Sequence, residues 1–376
     1  MRYIGCKQRL LPFIHQTLKD HYIEGETFCD LFAGTATVGH YFKQQGYKII
    51  SNDLLYASHV MQQVKVAINH MPRFERLAKH LKLTTTHADN YAQAVIDYLN
   101  QQDGIEGFIY QNYSEEGSLN KPYQRRYYTE CNARKIDSIR ESIEAWLQLE
   151  LISKEEFYIL LYTLLNEASR CANTTGTMSS FLKAYTPQAL RTIALKLPQL
   201  TPSAYAHEVH CQDSLDLLSE MDVVDILYLD PPYTTSQYAA SYHLLETIAR
   251  WDYPALYGIS GKRDTQPLRS ALSSKRYALN ALEAILRSGQ YRHLLMSYSN
   301  DSLIPHNALM DLFQRYGVVS VKTQSLKRYN TMSLSDPRIN PRQYVEERLY
   351  YLKPYSIPNQ ASNLTPLKHS ISSAFQ

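Results

Sequence analysis

The sequence lacks the features that would direct it to a membrane, to the cell exterior or to a metal ion. No apolar run approaches the roughly 18 residues that a membrane-spanning helix needs, and the first residues contain no apolar core of a secretory signal. The five cysteines are odd in number and show neither Cys-x-x-Cys nor zinc-ligand spacing, which argues against a disulfide framework and a metal site. They are Cys6, Cys29, Cys131, Cys171 and Cys211. From these absences we predict a cytoplasmic protein without a structural metal.

A strong excess of one charge is also missing. The 39 lysines and arginines and 36 acidic residues give a net charge of +3, which permits nucleic acid binding without requiring it. Local charge says more, because basic residues gather in 121–140, where tyrosines lie between them, and again in 262–292. Either run, taken alone, is explained equally well as a solvated surface. The candidates for contact with nucleic acid phosphates are Lys121, Arg125, Arg126, Arg134, Lys262 and Arg263.

Short apolar runs rich in β-branched and aromatic residues occur in two blocks. In the first block, residues 27–32 and 48–51 are predicted strands, each followed by a helical pattern, which gives a βαβα unit. In the second block, strands are predicted at 207–212, 223–229, 293–298, 318–324 and 348–352. We therefore expect an α/β fold with a doubly wound, largely parallel sheet, whose last strand is antiparallel.

The segment between the two blocks has a different character. Residues 108–129 form a polar, tyrosine-rich stretch, and helical periodicity follows in 136–149 and 157–168. We predict a discontinuous domain from 1–90 and 203–355, interrupted by an insert at 91–202. The last residues, 356–376, are rich in Ser, Asn and Pro and are predicted to be a poorly ordered terminus.

The most distinctive motif is the sequence Asp230-Pro231-Pro232-Tyr233 at the end of an apolar strand. At the carboxyl end of a strand in an open α/β sheet, the side chain of Asp230 points into the ligand crevice. The two prolines fix φ and remove backbone N–H donors, so that the carbonyl oxygens remain available as acceptors. The alternative is a plain strand-ending turn.

These residues suit chemistry on an exocyclic amine such as adenine N6. That nitrogen is a poor nucleophile because its lone pair is delocalised into the ring, and it needs hydrogen-bond acceptors rather than a strong base. The Asp230 carboxylate and the Pro231 carbonyl would accept from its two hydrogens and favour a pyramidal nitrogen. Tyr233 would supply a flat face for stacking of a base extruded from a duplex.

A second motif joins the first predicted strand to a helix through small residues, from Asp30 to Gly39. It has the character of a nucleotide-binding loop, in which Gly34 lets the backbone approach a ligand closely and a small residue at position 36 keeps the turn tight. Asp53 follows the second strand, where a carboxylate is expected to bind ribose hydroxyls.

Taken together, these stretches resemble the alpha class of DNA adenine-N6 methyltransferases, the Dam-like family. The segment Tyr3-Ile4-Gly5-Cys6-Lys7 is similar to its N-terminal cofactor motif, and the remaining motifs follow in the family's order. The resemblance implies S-adenosylmethionine as cofactor and places Asp213 beside its adenine. The implied cofactor residues are Tyr3, Lys7, Asp30, Phe32, Ala33, Gly34, Asp53, Asp213 and Asp230, and the implied catalytic residues are Asp230, Pro231, Pro232 and Tyr233. Ala36 departs from the family, since many members carry a second glycine there; its methyl group is tolerated if φ is negative.

The resemblance further implies a Rossmann-like methyltransferase sheet with a mainly helical target-recognition domain inserted between the ribose-binding acid and the catalytic motif. The implied activity is methylation of a flipped-out adenine in a specific double-stranded DNA sequence, in a prokaryotic or phage setting. A restriction-modification enzyme, with a cognate endonuclease as a further partner, and a solitary methylase are both open.

Three alternatives remain at the level of sequence. Cytosine N4 is also an exocyclic amine and could use the same acceptors, although Asp at position 230 and the order of the motifs favour adenine. Methylation of RNA or of a protein amide is disfavoured, because relatives with those activities usually carry Asn at that position. A catalytically silent DNA-binding module is disfavoured because Lys7, Asp53, Asp230 and Tyr233 are all present.

Overall fold

The computed structural model describes residues 5, 7–84, 90–232, 234–235, 237–327 and 344–355. Its centre is a seven-stranded sheet in the order β3-β2-β1-β4-β5-β7-β6. The strands are β1 (Thr27–Asp30), β2 (Lys48–Asn52), β3 (Glu208–His210), β4 (Val224–Leu229), β5 (Tyr291–Ser299), β6 (Gly317–Lys327) and β7 (Tyr344–Pro354). β1 to β5 are mutually parallel, and β7 is antiparallel to both β5 and β6. The predicted α/β sheet with an antiparallel last strand is confirmed.

Thirteen α-helices connect or cover the strands in the described residues. They are α1 (Leu11–Asp20), α2 (Thr37–Gln44), α3 (Tyr56–Gln62), α4 (Glu75–Leu81), α5 (Ala92–Gln101), α6 (Phe108–Tyr113), α7 (Glu130–Gln148), α8 (Lys154–Cys171), α9 (Ser214–Glu220), α10 (Tyr238–Ser241), α11 (His243–Arg250), α12 (Ala278–Ser288) and α13 (His306–Gln314). The helix predicted after β2 is shorter than its pattern, because α3 continues as a π-helical segment, Gln63–Ala67. None of the described helices is both long enough and apolar enough to cross a membrane.

Alternation along β1 explains how the sheet is covered. Phe28 faces α1 and α2 and stacks on Phe42, whereas Cys29 faces the opposite side, where α9, α12 and α13 pack. β1 lies between two parallel strands, and helices cover both faces of the sheet there. Its residues are therefore buried on both faces. The result is a three-layer arrangement in which the carboxyl ends of β1, β2 and β4 meet at one edge.

A second apolar core joins the helices of residues 91–202 to α3 and α11. α8 begins at a capping box formed by Ser153 and Glu156, and the buried Arg140 of α7 donates to the carbonyls of Ile248 and Ala249 at the end of α11. These helices therefore pack against helices of the sheet region through a continuous interior. The division at 90/91 and 202/203 stays a prediction.

Candidate active site

The carboxyl ends of β1, β2 and β4 open into a cleft of about 960 Å³, including its open mouth. Asp30 ends β1, Asp53 follows β2 and Asp230 follows β4, and all three line this cleft. Strand order thus gathers carboxylates that are far apart in the chain.

The loop between β1 and α2 forms one wall of the cleft and is held by several hydrogen bonds. Ala33 N–H donates to the carbonyl of Asn52 at 2.9 Å, and Gly34 N–H donates to Asp53 Oδ2 at 2.8 Å. Lys65, from the π-helical segment after α3, donates its ammonium to the carbonyl of Thr35 at 2.7 Å. β2 and the segment that follows it therefore fix the shape of this loop.

Two residues of the loop adopt left-handed conformations. Gly34 has φ +53° and Ala36 has φ +56°. The condition under which the methyl group of Ala36 is tolerated, a negative φ, is not met, so Ala36 occupies a backbone region that normally favours glycine. The tight turn forms nevertheless, with Ala36 N–H donating to the carbonyl of Ala33 at 2.7 Å.

Asp53 lines the cleft and also accepts hydrogen bonds from two backbone N–H groups. Its Oδ2 accepts from Gly34 N–H, and its Oδ1 accepts from Leu55 N–H at 2.9 Å. Burial raises the pKa of Asp53 to about 6, while these backbone donors oppose the rise. The carboxylate that was predicted to bind ribose hydroxyls also pins the loop that bears Gly34.

Asp30 is the most deeply buried of the three carboxyl groups, at 1% exposure. Its Oδ2 accepts from Gly39 N–H at 3.1 Å, whereas its Oδ1 has no hydrogen-bond partner among the described residues. Burial raises the pKa of Asp30 to about 8, and the nearby charges of Asp230 and Asp53 add to the rise. A buried carboxyl oxygen without such a partner in a cleft wall is available to a ligand.

The adjacent wall is built from the end of β3. Asp213 caps α9 by accepting from Leu215 N–H at 2.8 Å, and it lines the cleft with Gln212. The side chain of Asn52 bridges this segment to β1, since it donates to the carbonyls of Leu31 and Gln212 and accepts from Gln212 N–H. Phe32, Ala33 and Gly34, also predicted cofactor residues, line the same cleft.

Asp230 forms the centre of the remaining wall with Lys7. The ammonium of Lys7 lies 3.1 Å from Asp230 Oδ1, and Lys7 is 4% exposed. Burial raises the pKa of Asp230 to about 6, Lys7 lowers it, and Glu347 raises it further. Pro231 is buried and Pro232 lines the cleft. Tyr233 and Tyr3, also predicted site residues, lie outside the described residues.

Several residues that line the cleft or support its walls were not predicted from the sequence. Asn52 and Lys65 position the β1–α2 loop, and Glu347 of β7 reaches Lys7 at 3.8 Å. A signal existed for Glu347, because charged residues interrupt an otherwise apolar strand pattern at 344–354. The cleft is also lined by residues of α10 and its N-cap and by residues of the segment after α11, namely Gln237, Tyr238, Ala239, Leu268, Ser270 and Ser273.

The basic residues predicted to contact DNA are mostly engaged within the protein. Arg125 is 5% exposed and donates to the carbonyls of Asn112, Gly258 and Ile259, a geometry that does not favour phosphate contact. Arg126 pairs with Glu115, Arg134 with Glu106 and Glu130, and Arg263 with Asp252. Lys121 donates to Asn112. Lys262 bonds through its backbone to Tyr257 in a tight turn. Contact of these six residues with DNA stays a prediction.

The sequence was compared with protein families and with known proteins. Residues 3–331 match the family model described as D12 class N6 adenine-specific DNA methyltransferase. The chain is 36% identical over 379 residues to Modification methylase LlaI of Lactococcus lactis subsp. lactis, with 98% of this chain and 57% of that protein aligned. It is 32% identical over 332 residues to Type II methyltransferase M.NlaIII of Neisseria lactamica, with 88% of this chain and 92% of that protein aligned.

The length of these relatives differs. The alignment with Type II methyltransferase M.FokI of Planomicrobium okeanokoites, 33% identical over 322 residues, covers 85% of this chain and 47% of that protein. The chain thus spans about half the length of several relatives that it matches, such as LlaI and M.FokI, and nearly the full length of M.NlaIII.

Proposed function

The chain belongs to the D12 class N6 adenine-specific DNA methyltransferase family, and on this basis we propose that it transfers a methyl group from S-adenosylmethionine to N6 of an adenine flipped out of a specific double-stranded DNA sequence. The observation that carries the proposal is the Lys7–Asp230 pair at the end of β4, which shares one cleft with the β1–α2 loop. A carboxylate held in this position is an acceptor for an exocyclic amine.

The residues of the cleft fit S-adenosylmethionine. Its cationic, hydroxyl and amine groups require acceptors, and the cleft presents the carboxyl groups of Asp30, Asp53 and Asp213, and one buried oxygen of Asp30 has no hydrogen-bond partner among the described residues. When bound, the cofactor supplies an electrophilic methyl group on a sulfonium. The residues proposed to hold it are Tyr3, Lys7, Asp30, Phe32, Ala33, Gly34, Asp53, Asp213 and Asp230.

The transfer step depends on acceptors at the end of β4. Asp230 accepts one N6 hydrogen and the carbonyl of Pro231 accepts the other, so the nitrogen lone pair is directed toward the methyl group. Lys7 keeps Asp230 ionised near neutral pH, since its positive charge opposes the effect of burial. Pro232 limits the backbone at the cleft rim, and Tyr233 stacks on the extruded base.

Recognition of DNA is proposed for the insert at 91–202, and the catalytic domain is proposed to consist of 1–90 and 203–355. The duplex would approach the cleft mouth, with the basic stretches at 121–140 and 262–292 near its phosphates. The relatives' names, a modification methylase and Type II methyltransferases, support a restriction-modification setting. The proposal includes a cytoplasmic location and a cognate endonuclease as the expected partner.

The proposed function is tested by identifying the methylated product. The protein is incubated with tritiated S-adenosylmethionine and unmethylated duplex DNA, and the DNA is then digested to nucleosides for mass analysis. We expect N6-methyladenine. N4-methylcytosine would contradict the choice of adenine, and label on RNA or protein alone would contradict DNA as substrate. Specific duplex binding without any transfer would instead indicate a catalytically silent module.

A further inference from the structure

Glu347 brings a second carboxylate to Lys7 from a distant part of the chain. β7 is antiparallel to β5 and β6, and it aligns Glu347 with Ser299 on one side and Gln324 on the other. Glu347 Oε2 lies 3.8 Å from the Lys7 ammonium, and the glutamate side chain is 14% exposed. Lys7 therefore lies between two acidic side chains.

We propose that Glu347 is a positioning residue for methyl transfer: it holds the Lys7 ammonium between its own carboxylate and that of Asp230, and it leaves the group with a net negative charge. This inference rests on the proposed function of the cleft. Lys7, Asp230 and Glu347 are called the Lys7 cluster below.

Geometry supports a positioning role. Lys7 lies in a short 3-10 turn, Lys7–Arg9, and its long side chain has four rotatable bonds that its contacts must fix. The carboxylates of Asp230, just after β4, and of Glu347, on β7, lie 3.1 Å and 3.8 Å from the ammonium and restrict its position. Neighbouring side chains of β7 point to the other face, where Glu346 pairs with Arg348 at 2.7 Å. Only Glu347 of this acidic pair belongs to the cluster.

Charge supports the same role. The Lys7 cluster contains one positive and two negative groups, whereas Lys7 and Asp230 alone would be a neutral pair. N6 would carry positive charge once it has bonded the methyl group and the carbon–sulfur bond of the sulfonium has broken, until one N6 hydrogen leaves as a proton. A group with net negative charge beside N6 stabilises that charge in a buried cleft. Removal of the Glu347 charge would leave Asp230 fully compensated by Lys7.

The same charges determine when Asp230 ionises. The groups that face it are Lys7, Glu347 of β7, Asp30 of β1 and Tyr228 of β4, with Asp53 beyond Asp30. Lys7 lowers the pKa of Asp230, whereas Glu347 raises it. Because an ionised Asp230 accepts the hydrogen bond from N6 more strongly than a protonated one, activity falls as the pH drops through its pKa of about 6. Neutralisation of Glu347 therefore moves this fall to lower pH.

The test compares Glu347→Gln with Glu347→Asp, which keeps the charge, and with Glu346→Gln as a matched control on the same strand. Single-turnover methyl transfer is measured from pH 5 to 9 with saturating cofactor and duplex. For Glu347→Gln we expect the maximal rate to fall about 10- to 100-fold and the acid limb of the profile to move to lower pH. Glu347→Asp restores the wild-type limb, and Glu346→Gln behaves as wild type.

A second measurement does not depend on activity. The carboxyl carbon of aspartate is labelled with carbon-13, the Asp230 resonance is assigned by its loss in Asp230→Asn, and its titration is followed by NMR in each variant. We expect a lower midpoint in Glu347→Gln and an unchanged midpoint in Glu346→Gln. Circular dichroism establishes that each variant is folded.

The outcomes are separable. An unchanged Asp230 midpoint in folded Glu347→Gln overturns the proposal, as does a changed midpoint with a wild-type rate profile. A fall in rate without movement of the acid limb also overturns it, because it indicates a merely structural role. If the wild-type protein methylates no adenine, the proposed function fails, and the NMR titration still decides whether Glu347 controls Asp230.

Discussion

At the scale of single residues, the cleft shows how similar carboxyl groups acquire different properties. Asp30, Asp53 and Asp230 all follow or end parallel strands, but Asp230 faces an ammonium whereas Asp30 faces one backbone donor and two acidic neighbours. The pKa of Asp230 is raised to about 6 and that of Asp30 to about 8. At neutral pH the cleft therefore concentrates its negative charge near Asp230 rather than near Asp30.

Asp30 is predicted to destabilise the protein as the pH rises. The carboxyl group ionises near pH 3.8 in an unfolded chain and near 8 in the folded one, so the unfolded state releases its proton first and stability falls between these values. Asp30→Asn cannot ionise and can still accept from Gly39. We expect it to gain about 2 kcal/mol or more over wild type at pH 8, and almost nothing near pH 4.

Urea unfolding without cofactor at several pH values measures this effect. Asp222→Asn is the control, because Asp222 is exposed and its substitution should alter stability little at any pH. A gain for Asp30→Asn that does not change with pH would contradict the account.

The sequence identifies residues whose partners are local and misses those whose partners are distant. Asp53 and Asp230 were predicted because each follows an apolar run and a strand end points a side chain into a cleft, and Asp30 because the loop that it begins resembles a family motif. Glu347 was missed because it reaches the cleft only through the pairing of β7 with β5. Its partner Lys7 is more than 300 positions away in the chain. Lys65 was missed because a π-helical segment, which no periodicity indicated, directs it to Thr35.

At the scale of elements, the β1–α2 loop shows where a sequence departure has a structural cost. Ala36 has a positive φ and is buried, so the loop carries strain that its hydrogen bonds to Asn52, Asp53 and Lys65 offset. The strain at Ala36 cannot be predicted from the residue pattern, because the pattern does not specify the backbone φ angle. For the same reason, the helices predicted at 136–149 and 157–168 differ in their ends from α7 (Glu130–Gln148) and α8 (Lys154–Cys171), although their positions agree.

Replacement of Ala36 by glycine is predicted to stabilise the protein. Relief of the left-handed conformation is worth about 1 to 2 kcal/mol, and the larger freedom of glycine in the unfolded chain offsets part of it, which leaves a gain of up to about 1 kcal/mol. Thermal unfolding measures the change, and calorimetric titration with S-adenosylmethionine should show affinity retained. Gly34→Ala, at φ +53°, is the opposite comparison and should be destabilised. A lower stability of Ala36→Gly than of wild type would contradict the claim that Ala36 is strained.

At the scale of the whole molecule, the helices of residues 91–202 are joined to α3 and α11 by a continuous core. Arg140 is central to this junction, since its buried guanidinium donates to Ile248 and Ala249 and pairs with Glu144 at 2.8 Å. The order of the strands and this junction could not be predicted from the sequence, because both depend on contacts between segments far apart in the chain.

Arg140→Ala is predicted to destabilise the protein strongly. It leaves two buried carbonyls at the end of α11 without donors and removes packing against Trp251, a loss of about 2 to 4 kcal/mol. Urea unfolding provides the measurement. Arg73→Ala, which removes an exposed pair with Glu75, should change stability by less than about 0.5 kcal/mol. Equal effects of the two substitutions would contradict the role of Arg140.

The central claim is that Asp230 is the acceptor for methyl transfer in a cleft that also holds the cofactor. The most direct measurement compares single-turnover transfer to duplex DNA by wild type, Asp230→Ala and the exposed control Asp222→Ala, with binding of S-adenosylmethionine and DNA determined for each. We expect Asp230→Ala to lose at least about 1,000-fold in rate, while remaining folded and partly retaining both kinds of binding, and Asp222→Ala to match wild type. A folded Asp230→Ala protein with near wild-type transfer would contradict the claim, and so would loss of both kinds of binding with global unfolding.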